Sequence, residues 1–107
     1  MVNYQKVYGL IGLATKAGKL TAGTEACLEE IEKKTIKLII IVTDASDRTK
    51  KIFHEKCEEK KIPIYELTTM EELNKAIGKN NKVVIGIKDK GFGAAIHNMI
   101  NGGDMIG

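Results

Sequence analysis

The sequence predicts an α/β protein, a three-layer α/β/α sandwich around a mostly parallel or mixed sheet of about four strands. Three observations carry this expectation. Apolar residues recur at helical spacing in several segments. Two short runs rich in β-branched residues, 37–42 and 83–87, are apolar on both faces, as strands covered by helices on both sides must be. Helical and strand segments alternate along the chain with no linker or repeat, which is the pattern of a layered α/β domain. At 107 residues the chain has material for one core and not for two, so 1–107 is read as a single domain.

The elements follow in order. Tyr4, Val7, Tyr8, Ile11 and Ala14 fall on one helical stripe, and Ala17-Gly18 ends it, because glycine accepts the left-handed cap conformation. Thr21-Ala22-Gly23-Thr24 supplies small and capping residues before Cys27, Leu28 and Ile31, the buried stripe of a second helix. In that helix Glu25, Glu29, Glu30 and Glu32 precede Lys33 and Lys34, the order that a helix dipole favours. The strand at 37–42 comes next. Residues 43–47 provide turn and cap chemistry, and Ile52, Phe53 and Cys57 mark a third helix. Residues 62–67 read as a short strand whose single proline, Pro63, belongs at its start or on an edge, since proline donates no ladder hydrogen bond. Thr68 and Thr69 each stand three residues before a glutamate, Glu71 or Glu72, and give two overlapping capping-box candidates for a short fourth helix. After the strand at 83–87, Phe92, Ala95, Ile96, Met99 and Ile100 form the last helical stripe, and residues 101–107, with three glycines and an aspartate, should fray.

Composition narrows the function classes. Apolar residues at 43% and charged residues at 29% are values of an ordinary folded protein and not of a disordered one. The longest apolar run, 38–42, is far below the roughly 18 residues of a membrane span, so no membrane partner is expected. The first residues lack the basic start, apolar block and small-residue cleavage site of a signal peptide, which gives a cytoplasmic expectation. Cys27 and Cys57, 30 residues apart, fit neither a paired metal motif nor a disulfide framework and read as buried thiols. Net charge is +3, and of 17 basic residues all but Arg48 are lysines. Lysine is a compact point charge suited to phosphates, whereas bidentate base reading usually falls to arginine. The first 23 residues hold Lys6, Lys16 and Lys19 with no acid, and Lys79, Lys82, Lys88 and Lys90 fall within twelve residues opposed only by Asp89.

Catalytic signatures are missing. There is no G-x-x-x-x-G-K-[ST] and no G-x-G-x-x-G. Gly91-Phe92-Gly93 follows a strand and opens a helix, where it serves either an anion or close packing. His54 and Cys57 are three apart on one helix face, a metal spacing without a second ligand pair. His97 has no acidic or nucleophilic partner in sequence. Asp44 stands at the end of the central strand, where α/β folds place ligands, and is equally a turn or cap residue. The expectation is a protein that is not an enzyme and needs no cofactor or metal.

Two stretches, Gly12-Leu13-Ala14-Thr15-Lys16-Ala17-Gly18-Lys19-Leu20-Thr21-Ala22-Gly23 and Lys37-Leu38-Ile39-Ile40-Ile41-Val42-Thr43-Asp44-Ala45-Ser46, resemble the ribosomal protein family built around the archaeal kink-turn-binding large-subunit protein. Ile62-Pro63-Ile64, Leu73-Asn74-Lys75-Ala76-Ile77-Gly78-Lys79 and Val83-Val84-Ile85-Gly86-Ile87-Lys88-Asp89-Lys90-Gly91-Phe92 look like its short bacterial branch. The resemblance covers about residues 4–100. It implies an α/β/α sandwich that recognises kink-turns, sharply bent RNA internal loops with tandem sheared G·A pairs, and a ribosomal or ribosome-associated role, with structured RNA or ribosomal RNA, and ribosomal proteins, as the partners expected of a monomer.

In the best-studied branch the start of the second helix enters the kink with a glycine, a spacer, an asparagine, a glutamate, two spacers and a lysine. Here Gly23 keeps the glycine, Thr24 is the spacer, and Glu25, Ala26 and Glu29 replace the three polar contacts. A glutamate in place of the lysine turns an attractive charge into a repelling one, while Glu25 keeps acceptors for guanine N1–H and N2–H2 groups. The resemblance also assigns RNA contact to the loop before the last strand, here Lys79, Asn80, Asn81 and Lys82, where the archaeal branch is more apolar. Lys16 and Lys19, read as lying beside the entrance to the second helix with Thr21, are the expected phosphate partners. The alternative is a protein-interaction module that keeps the fold and has lost kink-turn specificity.

Overall fold

A computed structural model describes residues 2–102. Over those residues the chain forms α1 (Tyr4–Lys16), β1 (Leu20–Ala22), α2 (Thr24–Glu32), β2 (Leu38–Ile41), α3 (Asp47–Lys60), β3 (Ile64–Glu66), α4 (Met70–Ile77), β4 (Val84–Ile87) and α5 (Lys90–Ile100). Side chains start four of these helices by accepting a first-turn N–H: Asn3 from Lys6, Ser46 from Thr49, Thr69 from Glu72 and Asp89 from Phe92. Of the two threonines ahead of α4, Thr69 is therefore the cap. Thr68 is buried in a left-handed conformation (φ 64°), with its hydroxyl 2.6 Å from that of Tyr8.

The sheet order is β1-β4-β2-β3. Only β2 and β3 run parallel, whereas β4 is antiparallel to both β1 and β2, so the sheet is mixed and not mostly parallel. β2 and β4 take the centre, and every residue of both is buried. α1 packs against α4 and α5, and α2 against α3, which covers the two faces. Ile11, Ile31, Leu38, Ile39, Ile40, Ile41, Phe53, Leu73, Ile85, Ile87 and Ile96 fill the core between these layers. Asn101 and Gly102 form a turn after α5, and the remainder of the segment expected to fray lies outside the described residues.

Strand register divides the molecule into two ends. At one end Gly23 N–H donates to the Val84 carbonyl, Val42 N–H to that of Val83 and Thr43 N–H to that of Thr68. The entrance to α2 and the loops after β2, after β3 and before β4 therefore gather there. At the other end Lys88 N–H donates to the Lys19 carbonyl and Lys37 N–H to that of Ile87.

Candidate nucleic-acid interface

α2 opens on Gly23, whose φ of 106° and ψ of 153° disfavour any side chain. Its N–H is bonded to β4 and its carbonyl accepts from Cys27, so the turn is fixed at both ends. No side chain caps this helix. The first-turn N–H groups that follow Gly23 thus lack the carboxylate or hydroxyl that starts the other helices, and they face outward with the positive end of the helix dipole. Lys82 lies directly alongside: a methyl group on Gly23 would stand 3.6 Å from its Nζ. Ala22, Gly23, Thr24, Glu25, Ala26 and Lys82 line one cleft of about 370 Å³.

The loop carrying Lys82 is held by a residue that sequence reading passed over. Asn74 of α4 is only 9% exposed. Its Nδ2 donates to the carbonyls of Met70 (2.6 Å) and Lys82 (2.8 Å), while its Oδ1 accepts from Lys82 N–H (3.0 Å). The last bond fixes the orientation of the amide, because a backbone N–H can only donate. With Gly78 and Asn81 in left-handed conformations (φ 69° and 60°), the loop turns tightly and leaves Lys79, Asn80 and Asn81 exposed. These three border a cleft of about 310 Å³ together with Met70, Glu71, Asn74 and Lys75. A buried asparagine in the middle of a helix, where its propensity is poor, was the available signal.

The structure thus brings Gly23, Thr24, Glu25 and Lys82 together, with Lys79, Asn80 and Asn81 on the adjoining loop. Glu29 lies one turn along α2, exposed and 3.7 Å from Lys33. Thr21 sits in mid-strand opposite Gly86, and its carbonyl accepts from the Cys27 thiol at 3.5 Å. Lys16 and Lys19 do not join this group. β1 runs away from them, so they stand at the far end of the sheet from Gly23, beside Lys88.

The other candidates have structural roles. Asp44 Oδ1 accepts from Met70 N–H at 2.9 Å and so supports the start of α4. The Asp89 carboxylate accepts from Phe92 N–H, taking the place an anion would have at α5, and a methyl group on Gly93 would lie 3.4 Å from Lys37 Cβ, the close approach that a glycine permits. His54 Nε2 bonds Glu66 at 2.7 Å, and together with Lys50 it holds the Glu66 carboxyl below its ordinary range. Cys57, on the buried side of α3, is enclosed in the core. Burial pushes the Cys57 thiol up to about 11 and that of Cys27 up to about 12, so both are inert thiols at neutral pH. His97 meets Tyr65, whose hydroxyl lies 2.5 Å from Nδ1. Among the described residues no three metal-ligating side chains cluster.

A three-layer α/β/α domain whose uncapped helix entrance and lysine- and amide-rich loop converge, apart from any acid–base or nucleophilic set, has the layout of a binding domain. Residues 5–96 match the ribosomal protein L7Ae/L30e/S12e/Gadd45 family, and the chain belongs to that family. It is 39% identical over 100 residues to the RNA-binding protein YlxQ of Enterococcus faecium, spanning 94% of this chain and 96% of that protein. To the RNA-binding protein YlxQ of Bacillus subtilis (strain 168) it is 34% identical over 85 residues, 79% of this chain and 85% of the relative. A solved structure of a Bacillus halodurans protein of unknown function superposes with a TM-score of 0.87 at 35% identity, covering 90% of this chain and 97% of that one. The names of these relatives and of the family are those of RNA-binding and ribosomal proteins rather than of enzymes.

Proposed function

We propose that the protein binds structured RNA of the kink-turn kind through the entrance to α2 and the Asn74-pinned loop, as a monomeric ribosomal or ribosome-associated protein of the cytoplasm. The observation that carries this reading is the approach of Lys82 to Gly23 at the one side-chain-uncapped helix start among the described residues. The family description and the printed names of the YlxQ relatives support RNA as the partner.

Each group then has a chemical part. First-turn N–H groups of α2 take a phosphate at the positive end of the helix, and Lys82 and Lys79 supply charge to the same strand. Asn80 and Asn81 offer amides to base edges and 2′-hydroxyls exposed in a bent, unstacked loop. The exposed Glu25 carboxylate accepts from guanine N1–H and N2–H2. Glu29, tied to Lys33, borders the contact and presents a compensated charge instead of a bare repelling one, and Thr21 lies behind the entrance in the strand. Binding works by population shift: the protein takes the bent RNA conformer and depletes the extended one.

Binding of the purified protein to a labelled kink-turn and to the same RNA with its G·A pairs replaced by Watson–Crick pairs, across a salt series, tests the reading. The expected result is sub-micromolar preference for the kink with a salt slope of a few released counterions. Equal, weak binding to both RNAs would sink it and would favour the protein-interaction module that Glu25, Ala26 and Glu29 permit.

A further inference from the structure

The end of the sheet opposite the α2 entrance gathers lysines that nothing above uses. Lys19 and Lys88 are joined there through the backbone, Lys37 enters β2 beside Ile87, and Lys90 opens α5. Lys37 and Lys90 border a cleft of about 480 Å³ floored by Leu38, Pro63 and Gly93. Among the described residues no carboxylate lies within 4.0 Å of any of the four amines. Of the acids at this end, Glu30 accepts from the Thr35 hydroxyl at 2.6 Å and feels Lys88 only at longer range, Glu32 pairs with Lys56 and Lys60, and Asp89 caps α5.

Folding explains some of the neighbouring lysines and not these. Lys16, Lys34 and Lys61 sit at the ends of α1, α2 and α3, where a cation complements the negative end of the helix dipole. Lys90 occupies the first position of α5, where the dipole repels a cation, and Lys19, Lys37 and Lys88 flank strand ends without a carboxylate in ion-pair contact among the described residues. Four cations gathered at one end of the sheet without ion-pair contacts give that end a positive potential that favours a bound anion.

We infer that Lys19, Lys37, Lys88 and Lys90 form a second contact surface, which takes the phosphates of a double-helical RNA segment. The all-lysine set favours backbone contact over base reading, which draws on planar arginine or amide forks. Single strands are held by stacking on aromatic rings, and the rings at this surface are committed to each other, Tyr65 and His97 lying 5.8 Å apart between centroids and joined by a hydrogen bond. The inference rests on the proposed function only for the class of polymer. With it, the protein holds a kink at one end and a flanking or neighbouring helix at the other.

The test uses a 20-base-pair RNA duplex with no internal loop, so that it reads this surface independently of kink recognition. The probe is titrated with wild type, with Lys19→Gln/Lys37→Gln/Lys88→Gln/Lys90→Gln, and with the corresponding four-fold Lys→Arg protein. The glutamine protein is expected to bind at least about tenfold more weakly at 0.1 M salt, with a slope shallower by about 3.6 if all four lysines meet a phosphate, since each contact contributes about 0.9. Its melting midpoint should not fall, and the arginine protein should recover the binding. Equal affinity and slope for glutamine and wild-type proteins would overturn the inference, as would a wild type that ignores the duplex at low salt. Displacement of the duplex by poly-glutamate at equal charge concentration would overturn it in favour of an acidic protein partner. A wild type that binds kinked and plain RNA alike through these lysines would leave this surface standing and remove the kink-turn reading.

Discussion

Replacing Asn74 with alanine removes three side-chain hydrogen bonds, two of which fasten the loop at 78–82 through the backbone of Lys82 while the third reaches back to Met70 within α4. Each such bond contributes about 0.5–1.5 kcal/mol net, so their loss amounts to about 1.5–4.5 kcal/mol. Two effects reduce this. Lys82 is half-buried, so water reaches its freed backbone groups. Alanine also gains about 0.6 kcal/mol of helix propensity over asparagine. The expected net destabilisation is about 2 kcal/mol, which moves the urea midpoint by about 1–2 M at the m-values of small domains. The local effect should exceed the global one: Lys82 N–H loses its acceptor and should exchange with solvent much faster in native-state hydrogen exchange. RNA affinity should drop about tenfold or more, because Lys82 leaves Gly23 and each contact it makes is then lost. An unfolding free energy within about 0.5 kcal/mol of wild type, with the Lys82 amide still protected, would refute the role given to Asn74.

Four further outcomes follow from the geometry. Gly23→Ala forces a side chain into a φ of 106° and should cost about 1–3 kcal/mol by thermal or urea unfolding, while weakening kink-turn binding more than duplex binding. Glu25→Ala should weaken kink-turn binding with little change in salt slope, since it removes an acceptor and no phosphate contact; wild-type affinity would remove the proposed guanine contact. Both cysteines should resist iodoacetamide in the native state and react only through the unfolding transition. Because their folded values lie near 12 and 11 against an ordinary 9.0, the unfolded chain releases protons first, so their contribution to stability is intact below pH 9 and declines as pH rises above it; Cys27→Ala/Cys57→Ala should flatten that decline. Glu66, held low chiefly by its hydrogen bond to His54, contributes stability that is present above its ordinary value of 4.5 and lost as pH falls through its lower folded value. Glu66→Gln should flatten the acid limb at a cost below about 1 kcal/mol at pH 7, as the pair is exposed.

The layers of the fold were legible because β2 and β4 are apolar on both faces and because helix stripes such as Val7, Ile11 and Ala14 are complete in the sequence. β1 was not legible. Leu20, Thr21 and Ala22 are half-buried edge residues with no β-branched run, and only their pairing with Ile87, Gly86 and Ile85 makes them a strand. That omission misplaced Lys16 and Lys19. Lys19 is four residues from Gly23, and a helix-like linker would keep the two close, whereas an extended strand of four residues separates them by about 13 Å. Gly23 and the loop at 79–82 were readable through family resemblance, and the geometry brings them together. Asn74 stands out in the sequence only as a poor helix former in mid-helix, and its partner at Lys82, like that of Tyr65 at His97, lies 8 and 32 residues away, respectively, where no local pattern names it.

The central claim is that the protein selects a bent RNA conformer. A kink-turn carrying a donor and an acceptor at its two stem ends, titrated with protein at low magnesium, measures that selection directly. If the protein selects the bent conformer, energy transfer rises, saturates at one protein per kink and shrinks sharply with Lys79→Gln/Lys82→Gln. Binding without a rise in transfer, or a rise that the two substitutions leave unchanged, would contradict the claim.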